Sequence, residues 1–159
     1  MEQHMTVLIA DSGEDFCAAL SAALQRADGF QVIGTATDGE QAIRLIRESR
    51  PDVLVLDLML SKQDGIRVLK AVNNLDRKPI TLATSAFLTD YVSTAAANLG
   101  VRYLMLKPCD MTALVERLEE IRGGESFRLN MPRRMDKNSI ESMVTGIIPY
   151  RQENGYDTD

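Results

Sequence analysis

Five short, nearly unbroken apolar runs constrain this chain more than any other feature: Thr6–Ala10, Gln31–Thr35, Val53–Leu56, Ile80–Thr84 and Tyr103–Leu106. A strand with one wet face alternates apolar and polar residues. A run without alternation suits a strand covered on both faces, as in a parallel sheet. Parallel neighbours need long crossovers, and the segments between the runs carry the helical period. Phe16, Leu20, Ala23, Leu24 and Ala27 form one inward stripe, and Val92, Ala95, Ala96 and Leu99 a second. Met111, Leu114, Val115, Leu118 and Ile121 form a third. Asp38, Asp64 and Asp110 stand where N-caps belong, and Gly100 and the Gly123-Gly124 pair where helices should stop. Five strands alternating with five helices predict an α/β fold. Right-handed crossovers in such a (βα)5 unit place helices on both faces of a doubly wound parallel sheet.

The pattern changes near Gly123. Residues 1–122 read as one domain and residues 123–137 (GGESFRLNMPRRMDK) as a linker. Residues 138–148 read as a lone amphipathic helix with Ile140, Met143, Val144, Ile147 and Ile148 on a stripe. Pro149 stops it, and 149–159 is a polar tail. A helix of roughly 11 residues is marginal alone in water, so it must dock on something or fray.

The 159 residues are 45% hydrophobic and 26% charged, a globular composition. A net charge of −5 argues against non-specific attraction to nucleic acid or an anionic membrane. Basic and acidic residues nearly balance over 123–159, and Pro132-Arg133-Arg134 is too short to make a nucleic-acid patch. No direct DNA binding is therefore expected from this chain. No apolar run approaches the roughly 18 residues of a membrane span. The start, MEQHM, lacks the features of a signal peptide. A cytoplasmic location without membrane contact is expected. Cys17 and Cys109 lie far apart in apolar stretches and read as buried free thiols. His4 precedes the first strand and receives no role.

In an open α/β sheet, ligands bind beyond the carboxyl ends of the strands. There the runs deliver Asp11, Asp57, Thr84-Ser85 and Lys107-Pro108. Asp57 ends a strongly apolar run, an unusual place for an ionisable group. It is a carboxylate nucleophile placed where an acyl phosphate could form. Asp11 with Asp57 can hold a hard divalent cation such as Mg²⁺, which takes oxygen ligands and keeps several waters. Lys107 can neutralise a phosphoryl oxygen as a point charge, and Ser85 can donate a hydrogen bond to another. Each residue also has a plainer job. Asp57 could cap a turn, Asp11 could cap the first helix, Ser85 could satisfy backbone groups, and Lys107 could be a surface lysine. Convergence of all four on one edge favours chemistry. The Lys107–Pro108 bond is a candidate for the cis form, which costs roughly 1 kcal/mol or less before proline.

Taken in order, Asp11, the run Val53-Leu54-Val55-Leu56-Asp57, Asp64-Gly65, Ser85-Ala86 and Lys107-Pro108 resemble the signature of response-regulator receiver domains, over roughly residues 5–122. The stretches EDFCAAL, PDVLVLDLML, NLGVRYLMLKPCDM and SIESMVTGII are similar, more narrowly, to the stage-zero sporulation transcription regulators of endospore-forming Firmicutes. The resemblance implies a flavodoxin-like sheet with strand order 2-1-3-4-5. It implies phosphorylation of Asp57 by a histidine kinase or phosphotransferase protein of a two-component system or phosphorelay, with Ser85 and Lys107 stabilising the phosphoryl group. Mg²⁺ would be held by Asp11, Asp57 and the backbone carbonyl of Met59. A homodimer would form through the helix 4–strand 5–helix 5 face. Transcriptional control would need a DNA-binding domain, of which only the first helix is matched, ending near Ile148; the helix-turn-helix is missing.

Several positions depart from the family pattern. Receivers usually carry two adjacent acids after the first strand, and here the pair is Asp11-Ser12. A neutral hydroxyl in place of a charged ligand predicts weakened Mg²⁺ binding. Leu104 occupies the aromatic switch position, with Tyr103 adjacent; Ser61 replaces a common proline and Cys109 a common phenylalanine. Ser12 and Leu104 keep an alternative open, a pseudo-receiver used as a phosphorylation-independent interaction or dimerisation module. An enzyme is not expected beyond the domain's own phosphotransfer and autodephosphorylation. Aspartate-based phosphatases of similar layout carry a second aspartate two residues on, where this chain has Met59. A flavin-binding role would rest on fold analogy alone.

Overall fold

The computed structural model describes residues 4–60, 64–124 and 144–145. Strands and helices alternate strictly: β1 (Met5–Ala10), α1 (Glu14–Arg26), β2 (Phe30–Ala36), α2 (Gly39–Ser49), β3 (Val53–Asp57), α3 (Asp64–Asn73), β4 (Ile80–Ser85), α4 (Asp90–Asn98), β5 (Tyr103–Leu106) and α5 (Met111–Gly123). The five strands are parallel in the order β2-β1-β3-β4-β5, as a flavodoxin-like sheet requires.

Strand alternation divides the apolar runs between two cores. Leu8, Leu54, Leu56, Ala83 and Leu104 face one side, covered by Ile46 of α2, Leu69 of α3 and Ala96 of α4. Val7, Ile9, Val55, Leu82 and Met105 face the other, covered by Leu20 and Leu24 of α1 and Leu114 and Leu118 of α5. Burial on both faces holds for the inner strands. It fails for β2, where Gln31 and Thr35 are exposed, because an outermost strand has a neighbour on one side only.

The caps of α2 and α5 form as the sequence suggests. Asp38 Oδ1 accepts from the Gln41 amide at 2.8 Å and Asp110 Oδ1 from the Thr112 amide at 3.1 Å. Asp64 opens α3. Gly100 and Gly124 take φ of +85° and +75°, where a Cβ would be strained. α4 differs from expectation: Ser93, Ala96 and Ala97 are its buried residues, while Val92, Ala95 and Leu99 are half-buried. Val92 and Leu99 still pack against the core, so the expected stripe faces inward with its centre shifted toward Ser93 and Ala97.

Beyond Gly124, the linker and the tail lie outside the described residues. So does the helix expected over 138–148, except at Val144 and Thr145. Those two form a short strand, β6, pairing in parallel with Leu104 and Met105 of β5 instead of making a helical turn. An outermost strand offers a row of unpaired backbone groups, and a β-branched pair fits an extended partner there.

Candidate functional site

Asp11, Asp57 and Lys107 each follow a strand residue of the α1/α5 core by two positions (Ile9, Val55 and Met105), so all three project onto that face at one edge of the sheet. Lys107 Nζ donates to Asp11 Oδ2 at 2.5 Å and to Asp57 Oδ2 at 3.3 Å. The carboxylates are almost covered, with Asp11 2% and Asp57 7% exposed. Burial works against the ammonium, but the hydrogen bond to Asp11 and the charge of Asp57 outweigh it and hold the lysine above its ordinary pKa. The Phe16 ring, 4.3 Å from Nζ, roofs the ion cluster.

Short loops fix the other carboxylate oxygens. Asp57 Oδ1 accepts the Met59 amide at 2.9 Å, and Asp11 Oδ1 accepts the Gly13 amide at 2.8 Å. Gly13, not Asp11, is the N-cap residue of α1. Backbone ladders continue just past the strands, with the Leu58 amide on the Thr84 carbonyl and the Lys107 amide on the Ser85 carbonyl, both at 2.8 Å. Behind the Asp57 loop stands Gly65. A Cβ there would lie 2.5 Å from Leu58 Cα and 2.7 Å from the carbonyl oxygens of Asp57 and Leu58. Glycine alone lets α3 pack against the loop that presents the carboxylate.

The structure thus gathers three of the four expected residues. Ser85 is buried next to them, but its Oγ donates to the Phe87 carbonyl at 2.6 Å and accepts the Phe87 amide at 3.3 Å. It serves its own loop rather than the Asp57 carboxylate. Met59, expected through its carbonyl, meets Asp57 through its amide. Ser12 is exposed and makes no hydrogen bond among the described residues through its side chain. The Lys107–Pro108 bond is cis. Leu104 faces the α2/α3/α4 core, whereas Tyr103 faces α5, where its hydroxyl donates to Glu120 at 2.7 Å. Burial and that bond push the phenol well above its ordinary range. Tyr103 is therefore tied on the opposite side of the sheet and does not stand in for the leucine. Cys17 is buried; Cys109, expected to be buried, is half-buried because it follows the strand end. Burial raises both thiols.

Sequence reasoning missed the Phe16 roof, the two loop amides and the contact behind Gly65. Only Gly65 left a signal, an Asp-Gly pair at a helix start. As a metal site, the paired carboxylates suit Mg²⁺, which is commonly held by one or two carboxylates with waters and phosphate oxygens. Among the described residues no group of three acidic, histidine or cysteine ligands forms, so the donor set is compatible but lean. Among the same residues no helix is long and apolar enough to cross a membrane.

Comparison with known proteins agrees with this geometry. The signal receiver domain of NarL from Mycobacterium tuberculosis superposes with a TM-score of 0.71 at 27% identity, covering 77% of this chain and 99% of that one. CheY in the CheX–CheY–BeF₃–Mg²⁺ complex of Borrelia burgdorferi gives 0.68 at 25% identity, covering 74% of this chain and 89% of that one. The family model for the response regulator receiver domain matches residues 7–119, from β1 into α5 and over most of the sequence, and the chain belongs to that family.

Proposed function

We propose that this receiver accepts a phosphoryl group on Asp57 from a histidine kinase or phosphotransferase protein and thereby switches a partner-binding face. One observation carries the reading: the half-buried ammonium of Lys107 bridges the buried carboxylates of Asp11 and Asp57 at the carboxyl edge of the sheet. Receiver domains are generally non-enzymatic signalling modules that work with such donors and bind Mg²⁺ at their acidic pocket.

In the proposed step, an Asp57 oxygen forms a bond to phosphorus while the donor's phosphorus–nitrogen or phosphorus–oxygen bond breaks, and the leaving group carries away the electron pair. The chain supplies position and charge. The Met59 amide orients the carboxylate, and Lys107 shifts its N–H groups to the incoming oxygens. Mg²⁺, held by Asp11 and Asp57, would neutralise phosphoryl charge when bound. Ser85 must leave the Phe87 carbonyl to reach the phosphoryl group, which would draw the loop before α4 with it. The added charge of about −1.5 to −2 would in this way reach the α4–β5–α5 face, the proposed surface for a second copy or another partner. The narrower likeness to sporulation regulators supports a cytoplasmic phosphorelay, whose transcriptional output would need a DNA-binding domain besides the receiver.

Incubation with acetyl phosphate and Mg²⁺, followed by intact mass, tests the proposal. Wild type should gain one phosphoryl group and Asp57→Asn none; an unmodified wild type refutes it. Ser12, exposed and without a side-chain hydrogen bond among the described residues, favours a second reading, a pseudo-receiver. In that case dimerisation or partner binding would be the same in wild type and Asp57→Asn, with or without phosphoryl donor.

A further inference from the structure

Thr84 presents a feature the phosphoacceptor reading does not use. It is fully buried, and its Oγ1 has no hydrogen-bond partner among the described residues. A buried hydroxyl without a partner costs stability that a valine of the same shape would not, so it calls for an explanation.

Its place in the sheet supplies one. Leu82, two residues earlier on β4, belongs to the α1/α5 core, so alternation turns Thr84 toward the face that carries Asp11, Asp57 and Lys107. Thr84 pairs directly with Asp57 on β3, about 4.8 Å away by strand spacing. The strand order is β1-β3-β4-β5 across this region. Lys107 starts beyond β5, yet its ammonium reaches acids at the ends of β3 and β1. The side chain must therefore cross the end of β4, where Thr84 is the residue facing it. Phe16 covers the ammonium from the α1 side. The lysine thus runs between an aromatic roof and a floor that holds one unused hydroxyl.

We propose that Thr84 is a positioning residue for Lys107. An ammonium has three N–H donors, and the two carboxylates take two of them. When a cation or a phosphoryl group draws Asp11 away from the lysine, the Thr84 hydroxyl accepts one N–H and keeps the ammonium over Asp57. This rests on the phosphoacceptor reading for its purpose, but the contact itself can be measured separately.

Thr84→Val and Thr84→Ser, compared with wild type, form the test. With acetyl phosphate and Mg²⁺, Thr84→Val should be phosphorylated about tenfold more slowly, the usual scale for one hydrogen bond to a charged group, with a Tm no lower than wild type. Thr84→Ser should restore the rate. The Lys107 ζ-ammonium resonance in ¹⁵N NMR, assigned with Lys107→Met, should be visible in wild type with Mg²⁺ and broadened by water exchange in Thr84→Val. A wild-type rate in Thr84→Val overturns the proposal. So does a serine variant as slow as the valine one, which would assign the loss to packing. If wild type takes no phosphoryl group at all, the phosphoacceptor reading falls, and the ammonium resonance decides the Thr84–Lys107 contact alone: unchanged in Thr84→Val, it overturns that too.

Discussion

Substituting Gly65 by alanine should damage this domain through one atom. The added Cβ would sit 2.5 Å from Leu58 Cα and 2.7 Å from two carbonyl oxygens, where ordinary contact begins near 3.4 Å. All three obstacles are backbone, so no side chain can rotate away. Either α3 or the loop after β3 must retreat by close to an ångström. Overpacking of this kind costs about 3 kcal/mol at the upper end of its range. Alanine's better helix propensity returns about 1 kcal/mol, leaving a net loss of about 2 kcal/mol. Urea unfolding reads this directly. With a slope of roughly 2 kcal/mol per molar, the midpoint should fall by about 1 M. Gly123, in the last turn of α5, has nothing within 4 Å of its would-be Cβ. Gly123→Ala should therefore match or exceed wild type by up to about 1 kcal/mol. The Gly65 variant should also be phosphorylated more slowly, because the loop that moves carries the Met59 amide holding Asp57. A midpoint for Gly65→Ala equal to or above wild type would refute the close packing of α3 on this loop.

Three further outcomes follow from the site. Lys107→Met strands two buried carboxylates and should cost about 3 kcal/mol at neutral pH, the scale for breaking a buried ion pair; loss within 0.5 kcal/mol on chemical denaturation would contradict the pairing. Because folding raises the Lys107 pKa, its contribution is complete below its ordinary value of 10.5 and fades as pH climbs through the higher folded value. The stability of Lys107→Met should accordingly fall less than that of wild type above that pH. Ser12→Asp should tighten Mg²⁺ at least about tenfold in an isothermal titration, since unit charges about 4 Å apart exchange roughly 4 kcal/mol even at an effective dielectric of 20; unchanged affinity would mean residue 12 does not reach the metal. Tyr103→Phe should lose about 1 kcal/mol with its hydrogen bond to Glu120. Burial raises the Glu120 pKa, but bonds from Tyr103 and Arg117 outweigh it and lower the value, so this contribution is present above Glu120's ordinary pKa and lost as pH falls. The gap between Tyr103→Phe and wild type should therefore close in acid, as thermal melts across that range would show.

What could be read in advance was whatever repeats along the chain. The apolar runs located all five strands, because burial between two helical layers removes the polar alternation that a wet face would impose. The meeting of Asp11, Asp57 and Lys107 was legible because each is a charge at the end of an apolar run, and the parallel sheet brings such ends to one edge. Contacts between distant segments were not legible. Ser85 and Thr84 are adjacent hydroxyls at one strand end, and nothing local says that the first bonds its own loop while the second turns to the α1/α5 face without a hydrogen-bond partner among the described residues; alternation and the neighbouring strands decide it. Val144 belonged to a helical stripe, yet it and Thr145 pair with β5, a partner that a periodicity argument cannot see. Tyr103 is adjacent to Leu104 in sequence, but strand parity places the two on opposite faces of the sheet.

The Asp11-Ser12 pair changes what the resting site must do. Two carboxylates and one ammonium leave a net charge near −1 in a nearly covered pocket, and a second adjacent acid would double it. With serine there, Lys107 alone can bridge both acids and close the site without a cation. A metal then competes with the lysine for Asp11, whose shorter bond is the one to Lys107. The incoming phosphoryl group reverses the balance. It brings about two negative charges, more than one ammonium can offset, and would strengthen the site's hold on a divalent cation. In this chain, metal binding and phosphorylation should thus be more tightly coupled than in a receiver with three acids. Under the proposed phosphoacceptor role, the lysine, by changing partners from Asp11 to the phosphoryl oxygens, would be the group through which that coupling passes.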